Sequence, residues 1–149
     1  MLKRSTQAVL SSQKGMSLVE ILIAITLLGV VGTLVVSNVI ESLREGETKT
    51  TKIQIGTLGK ILTDYRRKCG AYPDTDQGLI ALVEAPTSGR LCKRYPPSGF
   101  LQDGKIPLDP WDNEYMYESD GKTYTITSYG VDGVEGGEGN DADISSKDL

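Results

Sequence analysis

The first apolar block of the chain is long and nearly unbroken. From Met16 to Val36 it reads MSLVEILIAITLLGVVGTLVV, with Glu20 as its only charged residue. At a helical rise of 1.5 Å per residue, Met16 to Val36 would span about 30 Å, the thickness of a bilayer's hydrocarbon core. The pattern then changes period. Val36, Ile40 and Leu43 fall at four- and three-residue steps, as do Ile55, Leu58, Leu62, Tyr65 and Cys69, with a polar stretch, Arg44 to Lys52, between the two sets. Such steps place the apolar positions on one helix face. The spacing therefore predicts one long helix, membranous first and amphipathic later, whose second half packs on a small head. Gly70 and Pro73 mark its end.

Shorter elements follow. Asp74 or Thr75 is placed to cap a short helix that runs to about Glu84 and stops at Ala85-Pro86. Thr87 to Lys105 reads as a loop rich in Pro, Gly and Ser. Tyr115-Met116-Tyr117 and Tyr124-Thr125-Ile126-Thr127 alternate around Ser119-Asp120-Gly121-Lys122, a hairpin signature with Asp-Gly at the turn. The single tryptophan, Trp111, is expected to plug the core of the head. The fold class is α+β: a long N-terminal helix on a small antiparallel sheet.

Charge refines this. The formal charge is −4, and three cations, Lys3, Arg4 and Lys14, precede Gly15 with no acid among them, so the remainder stands at −7. Basic residues before an apolar run stay in the cytoplasm, which places everything after Val36 on the far side of the membrane. The apolar run follows Gly15, the reverse of an ordinary secretory signal, so processing there would leave the membrane segment on the mature chain. An acidic remainder excludes nucleic acid as the expected partner, since phosphate binding needs clustered Lys and Arg. The chain has no histidine, which removes His-based catalysis and most zinc sites. Cys69 and Cys92 read most simply as one disulfide on the far side of a membrane, with two free thiols as the alternative. Paired, they would tie the 87–105 loop to the end of the long helix and contribute on the order of 3 kcal/mol.

Two stretches carry candidate function. Glu20 is a carboxylate in an apolar run, costly unless it has a partner or a task. After the last strand, Ser128 to Ile144 reads SYGVDGVEGGEGNDADI. An acidic, glycine-rich segment is either a disordered tail or a cation loop, for Ca²⁺ takes six to eight oxygens from carboxylates and backbone carbonyls.

Lys14-Gly15-Met16-Ser17-Leu18-Val19-Glu20 resembles the prepilin-peptidase site of type IV pilins and type II secretion pseudopilins. The resemblance implies cleavage between Gly15 and Met16 and N-methylation of the new Met16 amine. Phe is usual at that first mature position, and Met is a conservative departure. It also gives Glu20 a task, pairing with the terminal ammonium of a neighbouring subunit during assembly. Where many members carry a proline after the apolar run, this chain has Ser37. Tyr72-Pro73 through Gln77-Gly78-Leu79, the Asp109-Pro110-Trp111 turn and the acidic loop resemble the corresponding segments of the major pseudopilins of type II secretion.

That closer resemblance implies one structural calcium, held by side-chain oxygens of Asp132, Asp141 and Asp143 and by the carbonyls of Tyr129 and Val134. Glu138 is a further candidate, and Asp112 has no matched role. The family commonly has a tryptophan after this loop, where this chain has Ser145-Ser146-Lys147. The implied organisation is a leader over 1–15, a membrane and assembly helix over 16–36, and a periplasmic head over 37–149. The implied partners are further copies in a helical filament, minor pseudopilins, the inner-membrane assembly platform, the prepilin peptidase and the inner membrane itself. No enzymatic activity is implied: a membrane-anchored hydrolase using Asp74 with Asp76, or Asp141 with Asp143, has no His or nucleophile elbow to support it. The other reading from the same leader and helix is a type IV pilin building a surface fibre.

Overall fold

The computed structural model describes residues 15–149, and its contacts divide the chain into two units, Met1–Ile40 and Glu41–Leu149. Helix α1 runs Leu18–Cys69 and so contributes to both. Residues 1–14, all but the last of the segment read as a leader, lie outside the described residues.

In the first unit the helix opens with the Ile21 amide donating to the Ser17 carbonyl at 3.1 Å. Its apolar side chains are exposed on every side: Leu18, Val19, Leu22, Leu28 and Val31 are each more than half accessible. The apolar stretch whose side chains are described is Leu18 to Gly32, because those of Thr33, Leu34 and Val35 lie outside the description. Among the described residues no helix is long and apolar enough to cross a membrane.

In the second unit α1 buries one stripe. Thr51, Ile55, Leu58, Leu62 and Tyr65 are 0–2% exposed and recur at three- and four-residue steps. Thr51 bonds its hydroxyl back to the Glu47 carbonyl at 2.9 Å, which satisfies it inside the packed face. Leu43 does not extend the stripe and is exposed, as Ile40 and Val36 are in the first unit. The packed face thus begins within the polar stretch and not before it. The helix ends where expected: Gly70 adopts φ +90°, a conformation glycine takes without the Cβ penalty, and its amide caps the Arg66 carbonyl at 2.7 Å.

The next element corrects the sequence expectation. Residues Leu79–Leu82 form a short 3₁₀ helix, not an α-helix capped by Asp74 or Thr75. Gly78, at φ +58°, occupies the cap position and no side chain caps it. Asp74 instead accepts the Gln77 and Gly78 amides through its carbonyl, and the Thr75 hydroxyl donates to the Ser119 carbonyl at 3.0 Å. The cap residues are spent on a turn and on the sheet.

That sheet has three antiparallel strands in the order β1-β2-β3: β1 Met116–Ser119, β2 Tyr124–Ser128 and β3 Ile144–Ser145. Tyr117 pairs with Ile126, and both point into the core with Ser128. The Asp120 carboxylate organises the connecting turn by accepting from the Lys122 and Thr123 amides at 2.9 and 2.7 Å. The sheet meets α1 closely at Gly59, where an added Cβ would lie 2.6 Å from the Tyr124 hydroxyl oxygen. Cys69 and Cys92 form a disulfide with Cα atoms 4.7 Å apart. Trp111 is only half-buried: it packs against the core from outside and does not fill it.

Tyr117 supplies a pH prediction. Its hydroxyl is buried and donates to the Pro73 carbonyl at 2.8 Å, and burial above all pushes its pKa up to about 12. In the unfolded chain a tyrosine ionises near 10. The folded state therefore holds the proton more tightly, and this contribution to stability is complete below pH 10 and lost as pH rises from 10 towards 12. Tyr117→Phe should flatten that alkaline loss in urea unfolding at stepped pH. Equal slopes for the two proteins would contradict the assignment.

Candidate functional site

The acidic segment leaves the end of β2 and returns as β3, so the sheet fixes both of its ends. Its base is a buried polar knot. Asp109 is 3% exposed. One oxygen of its carboxylate accepts from the Trp111 and Asn113 amides at 3.0 and 2.8 Å, and the other accepts from the Ser128 hydroxyl at 2.6 Å. The Ser128 hydroxyl in turn accepts from the Gly130 amide at 3.2 Å, and the Asn113 side chain donates to the Gly130 carbonyl at 3.0 Å. A buried carboxylate with this many donors is satisfied and rigid. The turn at Asp109-Pro110-Trp111 therefore sets the direction in which the loop departs. Sequence reading singled out the turn but not Asp109, Asn113 or Ser128 as supports; the Asp-Pro turn was the only local signal.

Within the loop, Asp132 accepts from the Val134 amide at 3.2 Å, a local turn that leaves both residues exposed. Asp141 is also exposed, and its amide donates to the Glu138 carbonyl at 3.3 Å. The chain folds back so tightly at Gly137, φ +85°, that a Cβ there would run into the Asp141 carbonyl. Only glycine allows this approach. Asp143 is half-buried; one oxygen accepts from the Gly136 amide at 2.9 Å, while the other is buried and has no hydrogen-bond partner. Tyr129 sits beside these acids: burial and the carboxylates of Glu135 and Asp143 raise its phenol pKa.

Asp132, Asp141 and Asp143 are not drawn into one cluster, for no group of three His, Cys, Asp or Glu able to hold a metal occurs among the described residues. What the fold does bring together is the 136–137 turn with Asp141 and Asp143. A donor set made only of oxygen, with one buried carboxylate oxygen unpartnered, suits a hard cation and not a soft one. Asp112 is exposed at φ 64°, outside this arrangement, and serves the Asp109 turn through its amide at 3.0 Å.

The C-terminus is tied down without an aromatic. Ile144 and Ser145 pair with Ser128 and Thr127, and the Ser146 hydroxyl accepts from the Ile126 amide at 3.0 Å. Opposite β3, a pocket of about 250 Å³ separates Asp143 and Ala142 from Arg44, Thr48 and Lys52 of α1. The Trp111 indole N–H crosses to the Glu47 carboxylate at 3.1 Å. In the first unit, Gly15 and Met16 are exposed ahead of α1, and Glu20 is exposed in its first turn, where the helix dipole favours an acid.

The family described as "Type II secretion system (T2SS), protein G" matches residues 38–147, three-quarters of the chain and all but the last two residues of the second unit. The chain belongs to that family. A second match, to the "Prokaryotic N-terminal methylation motif", covers residues 10–36 and so takes in Gly15, Met16 and Glu20. The type II secretion system core protein G of Pseudomonas aeruginosa is 38% identical over 138 residues, which cover 91% of this chain and 96% of that protein. Its counterpart from Vibrio cholerae is 36% identical over 136 residues, covering 90% and 91%. A crystal structure of the major pseudopilin from the type 2 secretion system of enterohaemorrhagic Escherichia coli shares the fold. Its TM-score is 0.65 at 29% identity, covering 75% of this chain and 96% of that one. The protein G family is one of structural pseudopilin subunits and not of enzymes.

Proposed function

We propose that this chain is the major structural subunit of a type II secretion pseudopilus, polymerising through its N-terminal helix to drive folded proteins across the outer membrane. The observation that carries this is the first unit. Its helix exposes apolar side chains all round, and such a helix needs either lipid or other helices around it. A pseudopilin uses both in turn. Residues 16–36 cross the inner membrane before assembly and pack into a filament core afterwards, with the 37–149 head in the periplasm. The prepilin peptidase removes residues 1–15 and the Met16 amine is methylated. In the filament that ammonium neutralises Glu20 of a neighbouring copy, the partner a carboxylate needs among apolar helices. Minor pseudopilins and the inner-membrane assembly platform are the other partners of this reading.

The head carries one structural calcium in the same reading. Asp143 has an oxygen ready for it, Asp132 and Asp141 close on it when it binds, and the carbonyls of Tyr129 and Val134 complete an all-oxygen shell, with Glu138 a further candidate. The cation offsets the repulsion of acids packed into a few residues. It acts as an architectural group and supplies no reaction.

Deleting the gene and following secreted enzymes and surface fibres in the same strain tests the function. Loss of secretion with intact fibres is the expected result. Intact secretion with lost fibres would overturn it in favour of a type IV pilin.

A further inference from the structure

The second unit has two poles of opposite charge. At one end, Arg66, Arg67 and Lys68 close α1, and Arg90, Lys93 and Arg94 lie on the loop that the Cys69–Cys92 disulfide brings beside them. No acid occurs between Ala85 and Gln102, and the nearby Asp64 is already taken by Arg67 at 2.7 Å. All six cations are exposed. The scaffold beneath them is stiff. Arg66 stacks over the Tyr72 ring and Lys68 over the Phe100 ring, at 5.1 and 5.3 Å. The buried Gln77 side chain donates to the Ser88 and Arg90 carbonyls at 2.7 and 3.0 Å, which pins the loop. Leu91, 60% exposed, stands among the cations as an apolar contact point.

The other pole is the C-terminal loop, with five acids and no base from Asp132 to Asp143. It lies beside Arg44, Thr48 and Lys52 of α1, and the exposed Asp148 lines the same pocket and adds to this pole. From Thr48 to Cys69 the helix advances about 30 Å, so one head cannot bring its own poles together. Bound calcium would remove two of the loop's charges and leave it negative.

We propose that the basic pole of one head, built around Leu91 and the Cys69–Cys92 bridge, docks on the acidic C-terminal loop of a second copy of this chain. The contact joins different surfaces on the two copies. A contact of that kind does not stop at a dimer; repeated without ring closure it extends a filament. Charge complementarity of this sort fixes partner and register more than it adds affinity. The docking rests on the filament reading above and adds a contact between heads to the one between helices.

The test places p-benzoylphenylalanine at position 91 of the full-length chain, irradiates the bacterial membranes and maps the cross-linked dimer by mass spectrometry. The expected cross-link joins position 91 to residues 129–149 of another copy. Reversing the basic pole with Lys93→Glu and Arg94→Glu should lower its yield about tenfold, as should reversing the acidic pole with Glu135→Lys and Asp148→Lys. All four changes together should restore it to within about threefold. A wild-type cross-link to phospholipid, to nucleic acid or to a different protein, or none to residues 129–149, overturns the docking. So does failure of the fourfold reversal to restore the yield in a chain that keeps the wild-type thermal midpoint. Filaments without this cross-link overturn the docking alone, whereas the cross-link without filaments overturns the filament reading and leaves the docking standing.

Discussion

Adding EGTA to the full chain in detergent should lower the thermal midpoint of its head, and excess Ca²⁺ should restore it. A cation that binds only the folded loop stabilises by mass action, about 2.7 kcal/mol when free calcium is one hundred times its dissociation constant. For a unit of about one hundred residues that corresponds to roughly 10 °C or more in midpoint. The effect should be carried by the residues the loop assigns. Asp143→Ala removes the buried oxygen that lacks a partner, and Asp132→Ala removes a side chain that must swing in from the surface. In each variant the difference between EGTA and calcium should shrink to near zero, and the midpoint should stay close to the EGTA value of the wild type. A wild-type midpoint that ignores EGTA would remove the calcium site. A full calcium response in Asp132→Ala would remove that ligand only.

The second large effect belongs to the disulfide. Cys69 and Cys92 are 23 residues apart in sequence, and joining them restricts the unfolded chain. Changing both to serine should cost about 3 kcal/mol by the chain-entropy account. In thermal melts that is roughly 10–20 °C for a unit of this size. Dithiothreitol should reproduce the loss in the wild type and do nothing further to the double-serine chain. An unchanged midpoint in the double-serine chain would show that Gln77 and the core already hold the loop. The same variant should also lower the cross-link yield at position 91, because the basic pole loses the strap beneath it.

The sequence yielded most where a local rule and the tertiary demand agreed. The hairpin was legible because alternation and an Asp-Gly turn pointed the same way, and Asp120 and Gly121 do form that turn. The end of α1 was legible at Gly70 for the same reason. The buried stripe from Ile55 to Tyr65 was plain from its spacing, yet the spacing of Val36, Ile40 and Leu43 was equally good and those residues face outward. Periodicity shows which positions share a face and not which of them are buried. The cap at Asp74 or Thr75 failed because the backbone of Asp74 and the hydroxyl of Thr75 are held in a different turn. The Thr75 hydroxyl donates to the Ser119 carbonyl, the Asp74 amide donates to the Gln77 side chain, and a 3₁₀ turn behind Gly78 is what remains.

Of the acidic loop, the sequence showed composition and not geometry. An acidic, glycine-rich stretch left a disordered tail and a cation loop both open, whereas the structure shows that the glycine at 137 is needed by the fold. Its supports were hidden. Asp109 meets Ser128 and Asn113 only through the tertiary fold, and a strand as short as Ile144–Ser145 leaves no periodic trace. Trp111 illustrates the remaining limit: composition argues for a core plug, whereas its ring lies at the rim with the indole N–H on Glu47.

The claim that the chain polymerises through its N-terminal helix is tested most directly at Glu20. Glu20→Ala or Glu20→Leu should leave leader cleavage and membrane insertion intact, since the change only makes the segment more apolar. Filaments sheared or extracted from cells carrying either variant, and counted against wild type by immunoblot and electron microscopy, should be absent. Wild-type filament numbers in either variant would contradict the account.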